Sequence, residues 1–425
     1  MISVIVPYCN FKSNDKYMIF DSIQNQANLS DLDVIFVDAG SDKKYKRYLK
    51  EKITRIPNSK IIEMPNSNFA AARNKGLEQA VGEYVIFWEQ DGNAPPKALS
   101  KLKAAIDGYD LCVGSTSMTI REIPESENID DMCYTNRKDA DPLIRMLLNH
   151  NMMSVLGNML FRTEIIRKNH LTFDELAGEW GADELFNLDY FTVANSCKVI
   201  HSPVYNISIS AIPSEITQFD GRRLLTEHKI KHRYKRLAST LKLEKETIDV
   251  ANTLALNKVY LAVSNMERCP YSIEDKMQYL QTLFNDEDVN ELIKLCDVRY
   301  AFSYFFTEYL ILAVLDSGSQ SRYVQHFDNI IGTLRGKTHA NFADENRLGA
   351  AIYKTRKLNA SDNFLVPIIQ ANIYLSLLSE SSKKGIFRQE YFDKCREKCL
   401  QAMNHKENFN RYGEHVYDAV CLDLD

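Results

Sequence analysis

The sequence predicts an α/β domain, a mostly parallel sheet covered by helices, followed by an all-α region. Three observations carry this expectation. Over the first ~200 residues, short β-rich apolar runs alternate with amphipathic helical stretches, the rhythm of βαβ units. Within that rhythm Tyr84–Asp91 (YVIFWEQD) is an apolar run bounded by Gly82 and Gly92 that ends in two acids separated by one residue. Beyond about Ser214 the strand-like runs vanish, while helical periodicity persists almost to the end.

The first strand is expected at Ile2–Val6, directly at the start of the chain, and the following strands at Val34–Val37, Lys60–Met64, Tyr84–Trp88, Asp110–Val113, Leu156–Phe161 and Lys198–Val204. Helices are expected between them, near Tyr17–Gln26, Lys43–Lys52, Phe69–Ala80, Pro95–Ile106, Thr163–Lys168 and Asp183–Ala194. The third of these opens with Ala70, Ala71 and Ala72, small enough to let it lie close to the sheet. Pro95 and Pro96 suit a first helical turn, where the missing N–H is not needed. Thr163 followed by Glu164 reads as a helix start. Turn-rich breaks near Cys269–Pro270, Asp316–Ser321 and Ser379–Gly385 divide the helical half. No fixed-period repeat stands out, and stacked helical hairpins remain one arrangement for it. The expected organisation is an α/β catalytic domain over residues 1–214, a basic connecting segment over 215–236 and an α-helical domain over 237–425.

Bulk properties bound the function. At 425 residues the chain exceeds one typical hydrophobic core. It is 45% hydrophobic and 26% charged with a net charge of −5, so nothing demands a nucleic-acid partner. Nine cysteines are scattered without a C-x-x-C pair or zinc-like cluster, and Cys395 and Cys399 have the spacing of one packed helix face. A reducing cytoplasm follows as the expected compartment. The chain opens without a basic segment, signal core or cleavage site, unlike a secreted precursor. The most hydrophobic window, Tyr300–Leu315, is interrupted by Thr307 and Glu308 and falls short of a membrane span, so it reads as a buried helix.

The chemistry concentrates after the strands. Glu89 and Asp91 emerge together at the carboxyl end of a strand, where open α/β sheets bind ligands. Two such carboxylates suit a divalent cation that neutralises a diphosphate, although an isolated acid pair is more often a solvated loop. Pro7-Tyr8-Cys9-Asn10 follows the first strand and Asp38-Ala39-Gly40-Ser41-Asp42 follows the second. Asp38 there suits either hydrogen bonds from a base or ribose, or the capping of its own turn. Arg73, in Asn68–Gly76, is placed to reach a phosphate or an acid at the strand ends; solvated helix charge is the ordinary reading of such a residue. Gly178–Phe186 (GEWGADELF) is a glycine-punctuated loop entering a helix. Its carboxylate suits a helix cap or a general base beside an acceptor hydroxyl, and Trp180 offers a flat surface for stacking on a sugar ring.

Taken in order, PYCN, VDAGSD, AARNKG, FWEQD and GADELF resemble the successive motifs of family 2 glycosyltransferases with the GT-A fold, over roughly residues 1–210. The resemblance implies a nucleotide-binding set of Pro7, Tyr8, Asn10, Asp38, Arg73, Glu89 and Gln90. It implies Asp91 as the ligand of Mn²⁺ or Mg²⁺, Asp183 as catalytic base of an inverting reaction, and Trp180 and Glu184 on the sugar and acceptor side. The donor it implies is a nucleotide-sugar, UDP-linked, and the acceptor a hydroxyl of a bacterial surface glycan, teichoic acid or lipid-linked carrier. Three positions depart from the pattern: Glu89 stands for the first aspartate of D-x-D, Ala39 for a frequent second aspartate, and Ala182 for the glutamate before the base. These departures favour an alternative, a degenerate transferase-like scaffolding subunit; the retention of Asp91 and Asp183 opposes it. A sugar nucleotidyltransferase would carry a glycine-rich basic loop where PYCNFK stands, and a dinucleotide oxidoreductase would carry G-x-G-x-x-G.

Between Arg222 and Arg236 lie seven Lys/Arg residues, with Glu227 as the one acid. Two readings stay open: a solvated helix face, or docking on anionic lipid headgroups or a phosphate-bearing acceptor at the inner face of the membrane. The aromatics from Tyr300 to Tyr309 read as core, and oligomerisation stays open. His201, His405 and His415 lack ligand partners at metal spacing.

Overall fold

The computed structural model describes residues 1–11, 19–120, 123–126, 129–177, 181–209, 222–264, 272–287, 374, 388–394 and 397. In chain order the elements are β1 (Ile2–Tyr8), α1 (Ile19–Gln24), β2 (Leu32–Asp38), α2 (Lys43–Ile53), β3 (Ser59–Glu63), α3 (Phe69–Gln79), β4 (Tyr84–Phe87), α4 (Ala98–Ala105), β5 (Leu111–Ile120), β6 (Ile123–Ser126), β7 (Met132–Tyr134), α5 (Asp141–Asn149), β8 (Met159–Arg162), α6 (Thr163–Lys168), α7 (Ala182–Val193), β9 (Cys197–Ile209), α8 (Arg222–Leu241), α9 (Lys245–Ser264) and α10 (Ile273–Asn285). One compact unit comprises Met1–Pro213 with Arg222–Ala251, and a second comprises Ser214–Gly221 with Asn252–Asp425.

The strands form one sheet in the order β3-β2-β1-β4-β8-β5-β9-β7, with β6 paired to β5. β1 pairs in parallel with β2 and β4, and β2 with β3, so their carboxyl ends share one edge. β8 then runs antiparallel to both β4 and β5, while β5 and β9 are parallel. The sheet is parallel over the half that the strand–helix alternation describes best, and mixed over the rest.

Alternation of side chains assigns the two faces. On one face Val4, Val6, Tyr8, Val34, Phe36, Ile86 and Trp88 pack with Phe20 of α1, Leu49 of α2 and Leu99 and Leu102 of α4. On the other, Phe87 meets Phe161, Phe173 and Phe186 edge-on at 4.9–5.8 Å between centroids. There α3 comes so near β1 that a Cβ on Gly76 would lie 2.4 Å from Ile5.

Several boundaries differ from the sequence reading. Pro95 and Pro96 precede the helix, which starts at Ala98 after Lys97 at φ 69°; the Pro95 carbonyl is held by Gln26 Nε2 at 3.0 Å. The strand expected over Leu156–Phe161 begins only at Met159, as β8, because Gly157 passes tightly by the Tyr205 ring and Asn158 bonds Gly114. Helix α5, with Pro142 in its first turn, and the short strands β6 and β7 have no counterpart in that reading. The window Tyr300–Leu315, the Cys395/Cys399 pair and most of the C-terminal helical expectation lie outside the described residues. Among the described residues no helix is long and apolar enough to cross a membrane.

Candidate active site

The carboxyl ends of β1, β2 and β4 are tied into one floor by hydrogen bonds between their loops. Cys9 N–H donates to Gln90 Oε1 at 2.8 Å, which joins the β1 loop to the acid segment. Asn10 N–H donates to Ser41 Oγ at 2.9 Å, and Asn10 Oδ1 accepts from Asp42 N–H at 2.8 Å, which joins β1 to β2. Gly40 turns at φ +106° against the Asn66 backbone, a combination open to glycine alone.

Asp38 is fully buried. Its Oδ1 accepts from Ser41 N–H at 2.8 Å, capping the turn, while Oδ2 has no hydrogen bond and only the Lys46 ammonium at 3.6 Å. Ser67 Oγ, in the adjoining turn, is likewise buried without a hydrogen bond. Pro7 and Tyr8 offer the floor less. Tyr8 shares its face with Val4 and Val6, its ring is within the core and its hydroxyl donates to the Phe11 carbonyl, so its side chain serves the packing of β1.

Arg73 is the hub. It is 4% exposed, and its two terminal nitrogens reach different acids: Nη2 the Glu89 carboxylate, Nη1 Asp183 Oδ1 at 3.0 Å. Burial pulls its pKa down, but the charges of Asp183 and then Glu89 outweigh that and hold the guanidinium protonated. Phe173 lies under it, with the guanidinium carbon 5.4 Å from the ring centroid. The next residue, Asn74, clamps the Phe173 backbone from both sides, accepting from Phe173 N–H at 2.7 Å and donating to its carbonyl at 3.0 Å. The A-R-N segment therefore positions both the cation and the loop leading to α7.

Asp91 is exposed at the lip. Crowding by surrounding protein, followed by the charge of Glu89, lifts its carboxyl above the usual range. Below it Tyr205 is wedged so that a Cβ on either Gly92 or Gly157 would collide with it, and its hydroxyl accepts from Glu89 N–H at 3.3 Å. Among the described residues no three His, Cys, Asp or Glu side chains gather as a ready metal cage. Asp91 beside Glu89 suits instead a cation that keeps other oxygen ligands, as Mg²⁺ does when it arrives with phosphates.

Asp183 and Glu184 open α7 and diverge. Asp183 is one-third exposed beside Arg73, whereas Glu184 is buried, accepting from Tyr234 Oη–H at 2.8 Å and Ser154 Oγ–H at 3.3 Å. The expectation that Glu184 faces the sugar or acceptor is corrected: adjacent helical residues point about 100° apart, and this one points inward. Trp180 lies outside the described residues.

Tyr234 belongs to α8, the basic helix. Lys229 pairs with Asp174 at 2.6 Å, and Arg233 and Arg236 approach Asp189 at 3.3 and 3.7 Å. Ile230 and Thr226 pack over Gly181. Much of the expected docking charge is thus engaged within the unit, holding α8 on α7. Sequence reasoning passed over Ser67, Asn74, Tyr205 and Tyr234, whose partners lie far along the chain; the glycines at Gly92 and Gly157 are the trace that a bulky Tyr205 leaves in sequence.

Comparison with known proteins follows this geometry. Residues 3–169 match the model of glycosyl transferase family 2. The chain is 23% identical over 232 residues to the uncharacterized glycosyltransferase EpsJ of Bacillus subtilis, covering 54% of this chain and 66% of that one. It is 24% identical over 216 residues to the poly(ribitol-phosphate) beta-N-acetylglucosaminyltransferase TarS of Staphylococcus aureus, covering 48% and 34%. The chain thus spans less than two thirds of the length of these curated relatives. The crystal structure of S. aureus TarS 1-349 shares the fold, with a TM-score of 0.50 and 19% identity over 79% of this chain and 91% of that one. The same TarS fragment in complex with UDP-GlcNAc matches with the same TM-score, at 18% identity over 79% of this chain and 92% of that one. Over residues 3–169, the domain built on this sheet edge, the chain is similar to glycosyl transferase family 2.

Proposed function

We propose that the chain is an inverting glycosyltransferase that moves a sugar from a UDP-linked donor to a hydroxyl of a bacterial cell-surface glycan or teichoic-acid-type polymer. The observation that carries this reading is the double ion pair of Arg73, which brings the strand-end acid Glu89, two residues from Asp91, together with Asp183 of α7. Asp183 takes the proton of the acceptor hydroxyl as that oxygen attacks the anomeric carbon, and the bond to the nucleoside diphosphate breaks on the opposite face. The configuration at that carbon is inverted.

The charge balance supports a role for a divalent cation. Four acids, Asp38, Glu89, Asp91 and Asp183, lie along this edge, with Arg73 paired to Glu89 and Asp183 and Lys46 beside Asp38. A diphosphate would add to that excess of negative charge. Mn²⁺ or Mg²⁺ held by Asp91 would neutralise charge on the departing diphosphate. Asp38 Oδ2 and Ser67 Oγ, each buried without a hydrogen bond, suit the N–H and O–H groups of a base and ribose. The TarS complexes with UDP and UDP-GlcNAc support the choice of donor class.

The test is release of UDP from a panel of UDP-sugars with Mn²⁺, Mg²⁺ or EDTA. Metal-dependent release that disappears in Asp91→Asn supports the enzyme. No release together with no UDP binding by calorimetry would instead support the scaffolding subunit.

A further inference from the structure

Helix α2 carries Lys43, Lys44, Lys46, Arg47, Lys50 and Lys52, with Arg55 just beyond it and Glu51 as its one acid, in a chain whose net charge is −5. Leu49 is its fully buried side chain. At about 100° per residue, Lys43, Arg47 and Lys50 fall on one stripe away from Leu49, flanked by Lys44 and Lys46. Lys46 and Lys50 are engaged by Glu63 at 3.0 and 2.9 Å. Lys43, Lys44, Arg47 and Arg55 are exposed and form no ion pair with an acid among the described residues.

Two features separate this from an ordinary solvated face. The first turn of α2 holds two lysines and no acid, so cations outnumber the N-cap Asp42 at the end of the helix where the macrodipole is already positive. In α8, by contrast, Lys229, Arg233 and Arg236 face the acids Asp174 and Asp189. The cations of α8 hold the fold, whereas on α2 Lys44 lies over the Tyr45 ring at 4.5 Å and neither it nor Lys43, Arg47 or Arg55 is paired with an acid among the described residues.

We propose that the exposed face of α2 is the docking surface for the acceptor as a phosphodiester-backbone polyanion, lying along the nucleotide-side rim of the cleft. This rests on the transferase reading above. Helix α2 begins five residues after Asp38, so the stripe starts at the rim, and Lys43 to Lys50 span about 10 Å, room for successive phosphates of one strand. The large apolar side chains exposed among the described residues are Met1, Val81 and Leu176, none of them on α2. A bilayer would therefore gain only electrostatic attraction there, without an inserted anchor.

The experiment uses the full chain and synthetic poly(glycerol phosphate) as probe, with vesicles of phosphatidylglycerol in phosphatidylcholine as the competing surface. The charge-reversal variant Lys43→Glu/Lys44→Glu/Arg47→Glu is expected to weaken polymer binding on the order of tenfold or more, with added salt doing the same to the wild type. UDP affinity and melting temperature should stay at wild-type values. A control reversing Lys138, Lys168 and Lys242, exposed elsewhere, should retain polymer binding. Wild-type polymer affinity in the α2 variant overturns the proposal, as does equal loss in the control, or a loss confined to vesicle binding. The variant Lys43→Gln/Lys44→Gln/Arg47→Gln gives the same readout should reversal disturb folding. UDP binding and UDP-sugar hydrolysis by the wild type are measured separately, so a failed transferase reading is seen there and not in the polymer assay.

Discussion

On the strand side of the cleft, Asp38 Oδ2, Ser67 Oγ and Arg73 Nε are buried without hydrogen bonds, whereas on the helix side both carboxylate oxygens of Glu184 are bonded, to Tyr234 and Ser154. A buried polar atom without a partner costs about 1–3 kcal/mol, so a fold retains such atoms where something else supplies the partner. On the strand side those atoms lie at the sheet edge, where a ligand could supply the partner; on the helix side Asn187 Oδ1 and Asp189 Oδ1 of α7 also lack a hydrogen bond, while Glu184 ties α8 to α7. Asp183 stands at the boundary, with one oxygen on Arg73 and a third of its side chain in solvent.

The largest effect tests that boundary. Asp183→Asn keeps the size of the side chain and removes the base, so turnover should fall by about 10²–10⁴-fold while UDP affinity stays within a few-fold of wild type. Initial-rate kinetics beside calorimetry separate the two. A variant that loses UDP binding to the same degree as turnover would dissolve the division between the two sides.

Next is the strand side itself. Asp38→Ala removes the orphaned acceptor, and a hydrogen bond to a charged group is worth about 1.5–3 kcal/mol, so UDP should bind roughly 10- to 100-fold more weakly. Turnover at saturating donor should be largely kept, because the base is untouched. A fall in turnover with UDP affinity unchanged would return Asp38 to a turn-capping role, which its Ser41 contact already performs.

How much of this division is legible in sequence differs between neighbouring residues. Glu89 and Asp91 are legible because an apolar run that stops at two acids forces them to a strand end, and Arg73 because its helix precedes that strand. Tyr8 is legible too, once the period of two is applied strictly: Val4, Val6 and Tyr8 share a face, and that face is core. Glu184 is not, because its direction depends on α8 packing over Gly181, a contact between distant segments. Tyr205 is hidden for the same reason: it meets Glu89 only because β9 returns beside β5. Parallel order over β1 to β4 follows from local alternation, whereas the antiparallel insertion of β8 is a long-range choice.

A smaller effect is expected on the helix side. Tyr234→Phe leaves one Glu184 oxygen without its buried donor, a loss of about 1–3 kcal/mol in stability by denaturant unfolding. UDP affinity should not change, since no strand-side group is touched. Unchanged stability with weakened UDP binding would place Tyr234 in the ligand site and erase the contrast with Asp38.

The smallest effect concerns Asp91, whose folded carboxyl is raised by crowding and by Glu89. A raised acid binds its proton more tightly folded than unfolded, so the charged form disfavours the fold above the folded pKa, and that penalty is relieved as pH falls through it. Without metal, Asp91→Asn should therefore melt slightly higher than wild type at neutral pH, and the difference should close as pH drops into the carboxylate range. With Mn²⁺ and UDP the order should reverse, because only the wild type gains the stabilisation that ligand binding confers. Thermal melts in EDTA and in Mn²⁺ with UDP, across that pH range, decide it: a metal-free Asp91→Asn that melts lower at neutral pH would mean the carboxylate is held by the fold and not kept open for a cation.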